Sequence, residues 1–187
     1  MMLVDMVESQ IIASVKKESD LQTALNSKAN IVFLLTGDLM TISDYINQIQ
    51  QAGKYVFIHL DFIDGLSNSK NAISYVAENW KPTGIITTKS HVVKFAKEVG
   101  LRTIQRIFLL DRSAIKKGVE MAKSCQPDAL EILPGIIPKI IDELSSELAF
   151  PIIAGGLITE LTEVHAALEA GALAVSSGDP NMWNFDL

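Results

Sequence analysis

The 187-residue chain has a single cysteine, Cys125, so it forms no internal disulfide and lacks the thiolates of a cysteine-rich metal site. Long apolar runs are missing too. The longest, IVFLL, IFLL and FPIIA, are strand-sized, well short of the roughly 18 residues of a membrane span. The opening MMLVDMVESQ carries acids at Asp5 and Glu8 and no basic stretch, which is not the pattern of a secretory signal. A cytoplasmic location with no membrane contact is expected. No linker or low-complexity tract divides the chain, so residues 1–187 are expected to form a single barrel-like domain. There is no RNA-recognition motif of the aromatic-sheet type, no KH loop and no zinc knuckle. Nor does any Ser-His-Asp spacing point to a hydrolase.

Alternation is what the chain does have. Short β-branched or apolar runs recur at 11–15, 31–35, 55–61, 84–89, 102–108, 129–133, 151–156 and 173–177. Amphipathic stretches such as TISDYINQIQQAGK and LTEVHAALEAGA lie between them. Several close on a glycine (Gly53, Gly100, Gly171), the usual residue after a helix C-terminus. This spacing predicts parallel βα units, and eight of them predict an α/β fold, a compact (β/α)8 TIM-type barrel. An open doubly wound sheet shares the periodicity. After Ser177 only ten residues remain, so the last helix is truncated. The seam between strands eight and one then falls to Trp183, Phe185 or the N-terminal segment. Left open, it would offer a homo-oligomer surface.

Ligands of parallel βα folds sit beyond the carboxyl ends of the strands. Here those ends carry His59 and Asp61, Lys89, Arg106 and Glu131. Alternation sets His59 and Asp61 opposite Val56, Ile58 and Leu60, and Glu131 opposite Leu130 and Ile132. Strands seven and eight end in the turns Gly155-Gly156 and Ser176-Ser177-Gly178, which lead into helices at Thr159 and after Gly178. Such turns leave backbone N–H donors for an anion, and this pair of loops is a recurrent phosphate site in barrels. Gly155, Gly156, Ser176, Ser177 and Gly178 are therefore expected to hold a phosphate monoester, with Lys89 and Arg106 adding charge. Glu131 and Arg106 also read as a plain buried pair from adjacent strands, and His59 as a hydrogen-bonded structural residue. The rim acids Asp61, Asp64 and Glu131 are too few for metal-dependent phosphodiester cleavage, and no metal or cofactor is called for. An isomerase or aldolase is the alternative, acting on a small phosphorylated substrate. It would use Glu131 and His59 as acid and base, or Lys89 as a Schiff-base amine.

The blocks HLDFIDGL (59–66), GIITTK (84–89), TIQRIFLLD (103–111), PDALEILPG (127–135), IIAGGLI (152–158) and SSGDPNMW (176–183) together resemble the glycerol uptake operon antiterminator regulatory protein family. The resemblance spans about 11–183. It implies a barrel-like fold and a regulator, not an enzyme, that responds to glycerol 3-phosphate. It also implies binding to a leader messenger RNA, with transcription antitermination of a glycerol-utilisation operon as the result. For such a ligand, His59, Asp61 and Glu131 are expected to bond the two hydroxyls.

The charge distribution agrees with an anionic partner. Net charge is −6, yet residues 81–123 hold ten Lys/Arg against three acids, a local +7 that leaves −13 elsewhere. Lys94 and Lys97 share a face of the helix after strand four, and Lys116, Lys117 and Lys123 belong to the next helix. With Arg112 at the rim, these six are expected to contact RNA through charge and shape.

Overall fold

Strands buried on both faces read as continuous apolar runs, and the structure, a computed structural model, places one strand within each run. It describes residues 2–185 and 187. The strands are β1 (Ile11–Val15), β2 (Ile31–Leu34), β3 (Tyr55–His59) and β4 (Gly84–Thr87). They continue with β5 (Arg102–Phe108), β6 (Ala129–Leu133), β7 (Ile152–Gly155) and β8 (Ala174–Ser177). All pair in parallel in sequence order, and β8 returns to β1 with Ile11 opposite Val175, closing the barrel. The open-sheet alternative is thereby excluded.

The intervening helices are α1 (Leu21–Asn26), α2 (Ile42–Gln51), α3 (Lys70–Tyr75) and α4 (Ser90–Glu98), then α5 (Arg112–Cys125), α6 (Pro138–Glu147) and α7 (Leu161–Glu169). Each buries one stripe. In α2 the stripe is Ile42, Tyr45, Ile46 and Ile49, the spacing of one helical face. Outward strand residues such as Val56, Ile58, Leu130 and Ile132 meet these stripes in one apolar layer. Inward residues, among them Ile12, Phe33, Phe57, Ile104 and Ile153, fill the barrel, and Leu3 and Met6 plug its amino end. Among the described residues no helix is long and apolar enough to cross a membrane.

The seam between β8 and β1 is covered. A 3-10 turn at Pro180–Asn184 drives Trp183 to full burial, where its Nε1 donates to Ser177 O at 2.8 Å. The Trp183 carbonyl accepts from Ala29 N at 3.2 Å. The truncated last unit thus covers the seam with Trp183, while Phe185 stays partly exposed.

Candidate functional site at the barrel mouth

Above the apolar filling, the inward positions turn polar. β1 contributes Ser14, β3 His59, β5 Arg106, β6 Glu131 and β8 Ser176, all buried. The β5–β6 register sets Arg106 directly beside Glu131. Arg106 Nε donates to Glu131 Oε2 at 2.7 Å, and Ser176 Oγ donates to Glu131 Oε1 at 2.7 Å. The second bond crosses β7, which is why β7 ends in Gly155: a Cβ there would collide with Ser176 Oγ and lie 2.9 Å from Glu131 Oε1. No other protein acceptor among the described residues binds the Arg106 guanidinium, so its remaining donors are available to an anion.

Over this floor opens a cavity of about 600 Å³. Its walls include Ser14 and Lys16, Arg106 and Glu131, the loop 156–159 and the turn 177–179, with Phe62 and Phe108 at the rim. Gly156 and Leu157 are both left-handed, at φ +74° and +62°. Leu157 is an exposed non-glycine residue in that region, a costly conformation of the kind that gathers at functional loops. No acceptor among the described residues takes the N–H groups of Gly156, Leu157 or Gly178.

The helix N-termini behave differently from expectation. α7 begins at Leu161, not Thr159, because Glu160 and Glu163 form a capping box. Glu163 Oε2 accepts from Thr159 N at 2.8 Å and Glu160 N at 3.1 Å. Asp179 likewise caps the turn after β8, accepting from Asn181 N at 3.0 Å. At both ends a carboxylate of the chain itself takes up first-turn N–H groups, as an external anion would at an uncapped helix.

The candidate residues fall into two groups. Gly156, Ser176, Ser177, Gly178, Arg106 and Glu131 line the cavity, with Gly155 directly beneath. His59, Asp61 and Lys89 are not among the cavity's lining residues. Asp61 sits in a 3-10 turn, Leu60–Phe62, where it is ion-paired to Lys89 Nζ and accepts from Asn68 Nδ2 at 3.2 Å. Burial pushes the Asp61 pKa up, but the bond and charge from Lys89 outweigh it and the net shift is downward. Several lining residues escaped the sequence reading, Ser14 and Phe108 among them, and two stand out. Lys16 follows β1, and it reaches the loops after β7 and β8 only because the barrel closes. Its side chain lies across Gly178, where a Cβ would come 3.0 Å from its Nζ. Phe62 is the other.

His59 is 2% exposed, and neither ring nitrogen has a hydrogen-bond partner among the described residues, though Nδ1 lies 4.0 Å from Asp61 Oδ2. Burial, and then the positive charge of Arg106, lower its pKa to about 3. The ring stays neutral in the folded protein, whereas in the unfolded chain it takes up a proton below about pH 6.5. Between those values the unfolded state binds more protons, so stability falls as pH drops through this window and is unaffected above it. Relative to a His59→Phe variant, the wild type should lose about 2 kcal/mol by pH 5. Denaturant titrations of both proteins at pH 7 and pH 5 check this, and an unchanged gap would contradict it.

The basic candidates lie on the outer wall. α4 and α5 are neighbours: Lys94 Nζ donates to Ser124 Oγ at 3.4 Å, and Lys97 Nζ donates to Gln126 O. Lys116, Lys117 and Lys123 are exposed along α5. Arg112 is bound bidentately by Glu143 of α6, at 2.5 and 2.6 Å, a pairing that raises its pKa. Among the described residues no group of three or more His, Cys, Asp or Glu is placed to hold a metal ion.

Comparison with known proteins follows the same outline. The family model described as glycerol-3-phosphate responsive antiterminator matches residues 11–183. The uncharacterised protein YgcP of Escherichia coli K12 is 34% identical over 176 residues, covering 94% of this chain and 92% of YgcP. The crystal structure of a glycerol uptake operon antiterminator regulatory protein from Listeria monocytogenes superposes with a TM-score of 0.91 at 32% identity. That match covers 94% of this chain and 95% of the other. A glycerol uptake operon antiterminator-related protein from Thermotoga maritima gives 0.82 at 29% identity, covering 92% and 96%.

Proposed function

The chain belongs to the glycerol-3-phosphate responsive antiterminator family, and from that premise we propose a cytoplasmic regulator whose barrel mouth binds glycerol 3-phosphate. In its liganded form it binds the leader messenger RNA of a glycerol-utilisation operon and lets transcription continue past the terminator. One observation carries the ligand assignment. The cavity joins a buried guanidinium, a lysine laid across a glycine turn, and loop N–H groups without protein acceptors. A phosphomonoester dianion complements all three through charge-assisted hydrogen bonds. Catalysis is less well supported. Lys89 Nζ is held by Asp61 and does not line the cavity, and Glu131 is engaged by Arg106 and Ser176. RNA contact is assigned to the lysines of α4 and α5, the densest positive charge in the chain.

Thermal unfolding tests the ligand. At a hundredfold excess over Kd, glycerol 3-phosphate should raise Tm by roughly 5–10 °C. Glycerol, which lacks the dianion, should leave Tm unchanged, and the phosphate ester should be recovered intact. Gly156→Val should remove the shift, since a branched side chain at φ +74° is strained and crowds the loop donors. Equal stabilisation by glycerol, or consumption of the ester, would overturn the reading.

A further inference from the structure

Buried polar groups in folded proteins are nearly always hydrogen-bonded, and one that is not calls for an explanation. His59 has two such atoms in one ring, at the carboxyl end of β3 and on the inward face of the barrel. What covers it is Phe62. The Phe62 ring lines the cavity and packs edge-on against His59, with the ring centroids 4.6 Å apart. It is also 51% exposed, on a three-residue turn anchored by the buried Leu60. An aromatic ring half in solvent, held over an unsatisfied imidazole by one edge contact, is a cover that moves at little cost.

We infer that Phe62 is a movable cap and that His59, once uncovered, hydrogen-bonds a hydroxyl on the carbon chain of the ligand. The inference rests on the reading of the mouth as a glycerol 3-phosphate site and names the residue that recognises the glycerol end. The other two groups expected to bind hydroxyls are already engaged: Asp61 by Lys89 and Asn68, Glu131 by Arg106 and Ser176. His59 is the one of the three whose polar atoms are all buried and all without a hydrogen bond among the described residues. Its low pKa keeps the ring neutral, so it offers one donor and one acceptor, the same pair a hydroxyl presents. Phosphate recognition and hydroxyl recognition are thereby divided between the two sides of the mouth.

The test compares glycerol 3-phosphate with n-propyl phosphate, which keeps the ester and the three carbons but neither hydroxyl, and with inorganic phosphate. Wild type should prefer glycerol 3-phosphate to propyl phosphate by roughly tenfold. His59→Phe should lose most of that preference while binding inorganic phosphate as before. It should also fold at least as stably as wild type at pH 7, because an apolar ring replaces an unpaired polar one. Phe62→Ala, at an exposed position, should bind glycerol 3-phosphate more tightly than wild type, since no cap has to be displaced. Full retention of the preference in His59→Phe, or a loss of stability in that variant, would return His59 to a structural role. Unchanged or weaker binding by Phe62→Ala would remove the cap. If wild type binds both esters equally, the inference fails and the phosphate site stands. If it binds none of the three compounds, the ligand reading fails and takes the inference with it.

Discussion

Reversing Lys94, Lys116 and Lys117 to Glu is expected to abolish leader-RNA binding and leave the affinity for glycerol 3-phosphate unchanged. Three reversals change the charge by six, taking the 81–123 segment from +7 to +1. RNA affinity built on phosphate contacts falls with salt, with a log–log slope of roughly −0.7 to −0.9 per contact. Five lysines on the α4–α5 wall correspond to a slope of roughly −4 for the wild type. The variant should show a nearly flat dependence. Folding should be unaffected: all three side chains are exposed, and Lys94 makes only a 3.4 Å contact with Ser124. Arg112 was left out because Glu143 already holds it. Full RNA affinity in the triple variant would show this face to be ordinary solvated surface.

The second large effect concerns stability. Glu131→Leu should destabilise the protein by about 3–5 kcal/mol, because it strands the Arg106 guanidinium, 7% exposed, without its counter-charge. Ser176 loses its acceptor as well. For a domain of this size the loss lowers Tm by roughly 10 °C or more. The double variant Arg106→Met/Glu131→Leu should recover most of it, since exchanging a buried pair for apolar side chains is often neutral. Glu131→Gln, which keeps an uncharged acceptor, should fall between. The pattern separates the two roles that sequence alone leaves open for Glu131. A stability loss below about 1 kcal/mol for Glu131→Leu would mean that the pair is not the structural floor described here.

Much of this architecture is legible in the sequence, for physical reasons. Parallel strands buried on both faces must be apolar throughout, so the eight runs mark the strands to within a few residues. Period-two alternation likewise set His59 and Glu131 inward. It failed two residues past His59, where the chain leaves β3 for the 3-10 turn and Asp61 swings to Lys89 instead of staying in register. Lys16 carries no sequence signal because its neighbourhood exists only on closure: it lies 162 residues from Gly178 in sequence, yet both line one cavity. The start of α7 moves from Thr159 to Leu161 because glycine-turn reasoning ignores the capping box that opens at Glu160. Phe62 had no signal at all. A lone aromatic in HLDFIDG is an ordinary loop residue until its ring is seen against His59.

Ligand and RNA meet in one quantity. The most direct measurement is the affinity of the leader RNA for the wild-type protein at fixed ionic strength, first with saturating glycerol 3-phosphate and then with glycerol at the same concentration. The proposed regulator should bind the RNA about 5–150-fold more tightly with the phosphate ester, the range of a typical coupling free energy. Equal affinities in the two titrations would contradict it, whatever the cavity is found to hold.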